Sequence, residues 1–267
     1  SMVKAMHGCD AVIHLAALIS IQYSYVAPKS YVETNVLGTL NVLEAAMQCR
    51  LKQVIHTSTS EVYGSPIYVP IDEDHPLQGQ SPYSASKIAA DQLAFSYYSS
   101  FDSPVKIVRP FNTYGPRQST RAVIPTIIRQ LLAGDGGVVL GGLETTRNFN
   151  YIDDTVNGFI SVLKSPNGLG EITNFGSNYE ISIKDLAALI AEILNKDLNI
   201  IVDPKRLRPK NSEVSRLSAS NMKAQKLYNW SPVYQENEGI KLGLEKTVDW
   251  FIKNTDIFDA DNTKYHL

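Results

Sequence analysis

A tyrosine and a lysine four positions apart, Tyr83 and Lys87, are the residues of this sequence best suited to proton transfer in a redox site. They follow Pro82 and open a segment with apolar residues at helical spacing, which predicts a helix from Tyr83 to about Ser99. Residues four apart share one helix face, so the phenol and the ammonium project the same way. Because a nearby positive charge favours phenolate, Tyr83 is a candidate acid and base near neutral pH. On its own, the spacing fits a surface pair equally well.

A run of hydroxyl side chains that ends in a carboxylate lies about one loop upstream. Residues 53–58 are predicted to form a short buried strand, and Thr59, Ser60 and Glu61 follow it. In an open α/β sheet, ligands bind outside the carboxyl ends of the strands, where these residues would lie. A hydroxyl there can bond a substrate oxygen, and a carboxylate can take a proton from an acidified carbon. The alternative is a turn segment with a solvated Glu61.

The elements that must position these groups alternate between short apolar strands and amphipathic helices. Strands are predicted at residues 10–17, 53–59 and 105–109. Helices are predicted at residues 28–50, 83–99, 124–132, 183–194 and 240–251. In an open α/β sheet built from these elements, the hydroxyl run lies outside the carboxyl end of its strand.

Composition and charge exclude several classes of protein. The chain has 267 residues, 43% of them hydrophobic, which is enough for one large core or two smaller ones. A net charge of -2 offers no basic field for nucleic acid. No apolar run of membrane-spanning length and no signal peptide are found, so neither a membrane nor export is indicated. The two cysteines have neither metal nor redox spacing, which indicates free thiols and a cytoplasmic location. The five histidines are scattered, so no metal site is indicated.

Five motifs occur in the order typical of one enzyme family. They are DAVIHLAA at residues 10–17, NVLGT at 35–39, STSEVYG at 58–64, PYSASK at 82–87 and RPFNTYGPR at 109–117. With these motifs the chain resembles the extended short-chain dehydrogenases/reductases, the NAD-dependent epimerases and dehydratases of nucleotide sugars. Its details are most similar to the nucleotide-sugar 4,6-dehydratases, which are lyases. Among these, it most resembles enzymes that act on an N-acetylglucosamine nucleotide in sialic-acid-like sugar pathways.

The resemblance implies a Rossmann-like doubly wound parallel sheet, truncated at its N-terminus, with a smaller C-terminal α/β substrate domain. The NAD-binding domain would comprise residues 1–117 and about 145–178, and the nucleotide-sugar domain about 118–144 and 179–267. In the family the strand at residues 10–17 comes fourth, after the Gly-rich turn that holds the cofactor pyrophosphate. We therefore expect either a fragment of a longer gene product or a chain that covers this open strand edge by self-association.

The resemblance also assigns catalytic roles. Tyr83 removes the C4 hydroxyl proton of the sugar while a hydride passes from C4 to NAD. Thr59 forms a hydrogen bond with the C4 oxygen. Glu61 then takes the C5 proton, water leaves C6, and the hydride returns to C6 to give a 4-keto-6-deoxy sugar. Lys87 stabilises the phenolate and forms a hydrogen bond with the nicotinamide ribose. Ser60 replaces an Asp that many 4,6-dehydratases have, so the acid that protonates the leaving hydroxyl is either Ser60 or Glu61.

The remaining site residues are those that the family uses to bind its two ligands. Besides Tyr83 and Lys87, the residues implied to contact NAD are Leu15, Ala16, Ala17, Asn35, Thr57, Ser58 and Pro110. The residues implied to contact the nucleotide-diphosphate sugar are Asn112, Arg121, Arg147, Arg208 and Glu213. The planar fork of an arginine suits a diphosphate, although an ion pair of Arg147 with Asp153 or Asp154 is the structural alternative.

Other functions stay open at this stage. Nucleotide-sugar decarboxylases carry the same segment around Glu61, but they need an added cation for the substrate carboxylate, and the sequence offers no clear candidate. Epimerases usually lack this glutamate. A third alternative is an inactive remnant that only binds a nucleotide sugar or dimerises. A homodimer through the helices at residues 28–50 and 83–99 is expected from the resemblance.

Overall fold

Strands and helices alternate along the chain in this computed structural model, which describes residues 2–134 and 137–255. The strands are β1 (Ala11–His14), β2 (Gln53–Thr57), β3 (Val105–Pro110), β4 (Asn112–Tyr114), β5 (Gly137–Leu140), β6 (Thr146–Tyr151), β7 (Ile172–Phe175), β8 (Glu180–Ser182), β9 (Asn199–Val202) and β10 (Arg216–Leu217). The helices are α1 (Met2–Met6), α2 (Ile21–Val26), α3 (Pro28–Tyr31), α4 (Gly38–Gln48), α5 (Pro82–Phe101), α6 (Val123–Ala133), α7 (Ile152–Lys164), α8 (Ile183–Leu194), α9 (Met222–Tyr228) and α10 (Glu236–Lys253).

The central sheet is parallel and runs in the order β1-β2-β3-β7. Ile55 of β2 and Val108 of β3 are buried, as expected for strands that helices cover on both faces. Parallel strands present all their carboxyl ends at one edge, and ligands bind there in open α/β sheets. The predicted Rossmann-like α/β fold with a parallel sheet is confirmed.

The helix predicted at residues 28–50 is observed, with an irregularity inside it. A π-helical segment, Val32–Leu37, joins α3 to α4. Within this segment, Asn35 is buried. Its side chain forms hydrogen bonds with the N–H and the carbonyl oxygen of Leu18, which lies in the loop after β1. Sequence periodicity does not reveal a π-helical turn, because one extra residue barely changes the helical pattern.

A second group of strands lies beside the central sheet. It runs in the order β10-β6-β4, β8 pairs with β6, and β5 and β9 form a separate pair. Helices α6, α8 and α10 contribute to the apolar core against this group. Strand β6 therefore pairs with β8 and β10 of the smaller part, and β4 pairs with β6, although the predicted boundaries assigned β4 and β6 to the NAD-binding domain. Those boundaries stay a prediction, and residues 256–267 of the second domain lie outside the described part.

Two observations bear on the environment of the protein. No helix in residues 2–134 and 137–255 is long and apolar enough to cross a membrane. Cys9 and Cys49 are both free thiols. The cytoplasmic location stays a prediction.

Helix α7 packs closely against β7 where Gly158 faces Phe175. A Cβ added at Gly158 of α7 would lie 2.7 Å from Cδ1 of the buried Phe175, whereas one at Gly38 of α4 would meet nothing closer than 4.0 Å. We expect Gly158→Ala to lower the free energy of unfolding by about 1–3 kcal/mol, because overpacking outweighs the better helix propensity of alanine. Gly38→Ala, the matched control, should raise it by about 0.5–1 kcal/mol. Urea unfolding measures both, and an equal gain in the two variants would contradict this packing.

Candidate active site

Helix α5 begins at the carboxyl edge of the central sheet and carries Tyr83 and Lys87 in its first turns. Ser81 and Ser84 form a reciprocal cap: the Ser84 N–H donates to Ser81 Oγ at 3.0 Å, and the Ser81 N–H donates to Ser84 Oγ at 2.9 Å. Pro82 occupies the first helical position, where no N–H is needed. The start of α5, and with it the position of Tyr83, is therefore determined by local sequence.

The two residues meet the hydroxyl run that follows β2. Lys87 Nζ donates a hydrogen bond of 2.7 Å to the carbonyl oxygen of Thr57. The Tyr83 hydroxyl bonds the Thr59 side chain. Thr59 also caps the short helical turn Ser60–Tyr63, whose Glu61 is only 8% exposed. The structure thus brings all five predicted catalytic residues to one end of β2.

Burial dominates the electrostatics of Tyr83. Its side chain is 6% exposed, and burial raises its pKa above the usual value. The hydrogen bond with Thr59 lowers the pKa in part, and the negative charge of Glu61 raises it further. The lowering expected from Lys87 is not found, because removing the phenol from water disfavours the phenolate more than the surroundings favour it. Sequence spacing alone could not weigh this desolvation.

Lys87 is also buried, at 3% exposure. Burial lowers its pKa to about 8, and the nearby Asp91 carboxylate acts in the opposite direction. A lysine with this pKa is still mostly charged at neutral pH. Its ammonium is therefore available beside Thr57 for a polar ligand.

The loop after β1 lies next to these groups. Because His14 pairs with His56 in the parallel register, Leu15 follows directly beside Thr57. Leu15 is 64% exposed, and Ala16 and Ala17 continue the loop. Asn35 holds this loop by accepting from the Leu18 N–H at 2.8 Å and donating to the Leu18 oxygen at 3.0 Å.

Asn35 also donates to Ser86 Oγ at 2.9 Å, so its polar atoms are already bonded within the protein. Its described contacts support the loop rather than point to a ligand. Ser58 is similar, since its hydroxyl donates to the buried Asp91 at 2.8 Å. Thr57 and Asn112 differ from these two residues. Thr57 Oγ1 and Asn112 Nδ2 are buried and have no hydrogen-bond partner within residues 2–134 and 137–255. Orphaned buried polar atoms are costly unless a ligand or water satisfies them.

A cluster of two arginines and two glutamates lies next to Thr59. Arg208 Nη1 is 3.6 Å from Glu61 Oε2 and 3.9 Å from Glu213 Oε1. Arg147 Nη2 is 3.5 Å from the same Glu213 oxygen. The ion pair of Arg147 is therefore with Glu213, and the alternative pairing with Asp153 or Asp154 is wrong.

Strand pairing explains how residues so distant in sequence form this cluster. Arg147 lies on β6, and β10 pairs alongside it with Leu217 next to Arg147. The loop that leads into β10 carries Arg208 and Glu213 back over the end of β2. Burial lowers the pKa of Arg147, and the charge of Glu61 raises it. The cluster thus offers two guanidinium groups to an anionic ligand beside a carboxylate.

The remaining residues predicted to bind ligands are Pro110 and Arg121. Pro110 is the last residue of β3 and lies at the same sheet edge. Arg121 is exposed just before α6, and its charge lowers the pKa of Tyr31, whose ring centroid is 6.2 Å from that of Tyr83. Both therefore lie on the side of the molecule that carries the catalytic candidates.

Sequence reasoning missed a buried charged group next to this site. Asp91, fully buried on α5, accepts hydrogen bonds from His56, Ser58 and Arg109. One signal was available: Asp91 follows Lys87 by four residues, so it continues the Tyr83–Lys87 row along the helix. An acidic residue on the covered face of a helix is rarely buried without a partner.

Comparisons with known proteins give the family. A family model described as GDP-mannose 4,6 dehydratase matches residues 1–242. A human dTDP-D-glucose 4,6-dehydratase is 34% identical over 252 residues, which are 92% of this chain and 69% of that protein.

Two solved structures are similar over nearly the whole chain. A double mutant of a Streptomyces venezuelae dTDP-glucose 4,6-dehydratase, solved with NAD bound, has a TM-score of 0.88 and 29% identity and covers 97% of this chain and 78% of its own. A Bacillus cereus UDP-glucuronic acid 4-epimerase, in complex with UDP-glucuronic acid and NAD, has a TM-score of 0.87 and 30% identity and covers 95% and 78%. With the matching family model and the relative at 34% identity, these similarities confirm the predicted family. The chain belongs to the GDP-mannose 4,6-dehydratase family of extended short-chain dehydrogenases/reductases.

Proposed function

We propose that this chain is a lyase that carries out the NAD-dependent 4,6-dehydration of a nucleotide-diphosphate sugar. The observation that carries the proposal is the position of Glu61, a buried carboxylate between the Tyr83–Thr59 pair and the arginine cluster. A 4,6-dehydration needs proton transfer at C4 and then at C5, so it needs two such groups on one sugar. The family, and relatives whose names state this reaction, support the same conclusion.

The residues present fit the nicotinamide half of NAD. The unpartnered Oγ1 of Thr57 and the ammonium of Lys87 lie at the same sheet edge. Tyr83 and Lys87 would hold the ribose, and the exposed loop at residues 15–17 would line the ring with Pro110. When bound, NAD accepts a hydride from C4 of the sugar and returns it to C6.

The side chains then have separate roles in moving protons. Thr59 would hold the C4 oxygen while Tyr83, in its phenolate form, removes the C4 proton. Because burial raises the pKa of Tyr83, this role requires the Lys87 charge to offset that cost when the ligands are bound. Glu61 takes the C5 proton once C4 is a ketone. We assign the protonation of the leaving hydroxyl to Glu61 as well, because a carboxylic acid is a far stronger acid than the Ser60 hydroxyl.

The diphosphate would bind between Arg147 and Arg208. Both guanidinium groups now face Glu213 at 3.5 and 3.9 Å, which is longer than the roughly 2.7–2.9 Å of a charge-assisted hydrogen bond. A diphosphate can therefore replace these contacts with bidentate ones. Asn112, with its unpartnered Nδ2, and Arg121 would contact other parts of the nucleotide sugar, and Glu213 would bind the ribose. An N-acetylglucosamine nucleotide stays the predicted substrate.

One observation favours a second candidate, a nucleotide-sugar decarboxylase. The sequence offered no clear cation for a substrate carboxylate, but Arg208 Nη1 lies 3.6 Å from Glu61, the group expected next to C5 and C6. The same arginine could bind a carboxylate at C6. The solved structure with UDP-glucuronic acid, at 30% identity, belongs to a protein that takes such a substrate.

Mass spectrometry of mixed nucleotide sugars incubated with the protein and NAD separates these functions. We expect one member of the mixture to lose water, which would also name the substrate. Loss of carbon dioxide from a uronic acid nucleotide would establish the decarboxylase instead. A shifted retention time at unchanged mass would indicate an epimerase, and no change at all would favour a protein that only binds.

Glu61→Gln tests the role of the carboxylate. We expect dehydration to slow by about 10²–10⁴-fold, because the C5 proton loses its base, while oxidation at C4 continues. Water loss by mass measures the first effect, and the absorbance of reduced NAD in a single turnover measures the second. Glu192→Gln is the matched control, since Glu192 of α8 pairs with Lys241 of α10 and has no contact with the cluster among the described ion pairs. Dehydration at the normal rate in Glu61→Gln would refute the assignment.

A homodimer is also part of this proposal. The helical segments at residues 28–50 and 83–99 expose large apolar side chains, namely Val32, Leu37, Met47, Phe95 and Tyr98. Helices that cover a sheet with one face and expose apolar groups on another suit a second copy. We expect Phe95→Glu to shift the protein to monomer in analytical ultracentrifugation, and Met222→Glu, at an exposed position on α9, to leave the dimer intact. A monomeric wild-type protein would contradict the dimer.

A further inference from the structure

One buried carboxylate joins three elements beneath the proposed site. Asp91 Oδ2 accepts from Arg109 Nε at 3.1 Å, from Arg109 Nη2 at 3.0 Å and from Ser58 Oγ at 2.8 Å. Its other oxygen is 3.2 Å from His56 Nε2. His56 lies on β2, Ser58 follows β2, and Arg109 lies on β3. The carboxylate of Asp91 therefore fastens α5 to the ends of two strands.

These contacts lie directly below the groups that would do the chemistry. Tyr83, Lys87 and Asp91 succeed one another at intervals of four along α5, so they form one row on its buried face. Ser58, which Asp91 holds, stands between Thr57 and Thr59. The carbonyl oxygen of Thr57 accepts a hydrogen bond from the Lys87 ammonium, and the Thr59 side chain forms a hydrogen bond with the Tyr83 hydroxyl. A displacement of Ser58 would therefore move both partners of the catalytic pair.

The charges around Lys87 make Asp91 important electrostatically as well. From β1 and β2, His14 and His56 face Lys87, and burial lowers the pKa of both, to about 4 for His14. These histidines are therefore neutral at pH 7. The π-helical segment and α4 contribute Asn35 and Thr39, which carry no charge.

The remaining charged neighbours come from β3 and α5. Nε and Nη2 of Arg109 donate hydrogen bonds to Asp91, and its Nη1 donates to the Tyr63 hydroxyl at 3.0 Å. Burial alone would raise the pKa of Asp91, but the hydrogen bond from His56 and the charge of Arg109 lower it. Asp91 is therefore an anion, and it is the group that counteracts the cost of burying the Lys87 charge.

We propose that Asp91 is a positioning residue of this site, whose buried carboxylate places a negative charge one helical turn from Lys87 and holds Ser58, and with it Thr57 and Thr59, in place. The proposal rests on the proposed function, because it concerns the residues that would bind NAD and the sugar. Asp91 itself touches neither ligand. It acts through Lys87 and Ser58.

The ionisation of Lys87 tests the proposal directly. Lysine labelled with ¹³C at Cε reports this ionisation by NMR, and Lys87→Arg assigns the resonance. In the wild-type protein we expect a midpoint of about 8. A buried lysine without a nearby anion titrates at about pH 5–6, so a wild-type midpoint in that range would overturn the proposal without any variant at Asp91.

Asp91→Asn removes the charge and keeps the shape. We expect the Lys87 midpoint to fall by about one pH unit or more, because the attraction that favours the ammonium is lost. The alkaline limb of kcat/KM for dehydration should move to lower pH by the same amount, which a purely structural defect would not cause. An unchanged Lys87 midpoint in folded Asp91→Asn would overturn the proposal.

Asp154→Asn is the matched control. Asp154 is a buried acid on α7 that accepts from the N–H groups of Val233 and Tyr234 at 2.9 and 2.8 Å, outside the site. It should leave the Lys87 midpoint and the pH profile unchanged, whatever it costs in stability. A wild-type protein that dehydrates no nucleotide sugar would refute the proposed function, whereas the NMR titration would still decide the effect of Asp91 on Lys87.

Discussion

The buried pair of Asp91 and Arg109 is the interaction on which the arrangement of this site depends. Burying two charges is expensive, and the geometry offsets that cost with hydrogen bonds from Arg109, Ser58 and His56 to one carboxylate. Removing one partner of such a pair typically costs about 3–5 kcal/mol, because the other charge stays buried and unpaired. The pair therefore fixes α5 in one position relative to β2 and β3. The positions of Tyr83 and Lys87 follow from it.

The opposite side of the site is organised by longer ion pairs, in which Arg147 and Glu61 are buried and Arg208 and Glu213 are half-buried. Arg147 and Arg208 share Glu213, and Arg208 also lies near Glu61, at distances of 3.5–3.9 Å. These ion pairs are longer than the contacts of Asp91 with Arg109, and water reaches the half-buried Arg208 and Glu213. Their looseness suits binding, because an incoming diphosphate meets guanidinium groups that are already close together. One half of the site is thus rigid and buried, and the other exchanges its partners easily.

These two halves come from different sheets. The proton-transfer groups lie at the end of β2 and on α5, whereas the arginines come from β6 and from the loop before β10. Strand β4 follows β3 directly and pairs with β6, with Asn112 beside Phe149. This short connection keeps the two sheets next to each other. A nucleotide sugar held by the arginines would therefore reach Glu61 and Tyr83.

The sequence by itself determined the helix that begins after Pro82 and, through five short motifs, the family and its α/β fold, because these depend on local periodicity and short motifs. It also placed Tyr83 and Lys87 on one helix face, opposite the hydroxyl run after β2. Tertiary structure alone decided that Arg208 meets Glu61, that Ser58 turns towards Asp91, and that burial raises the pKa of Tyr83. Desolvation and contacts across long stretches of chain depend on everything that packs around a group. No short segment of sequence contains that information.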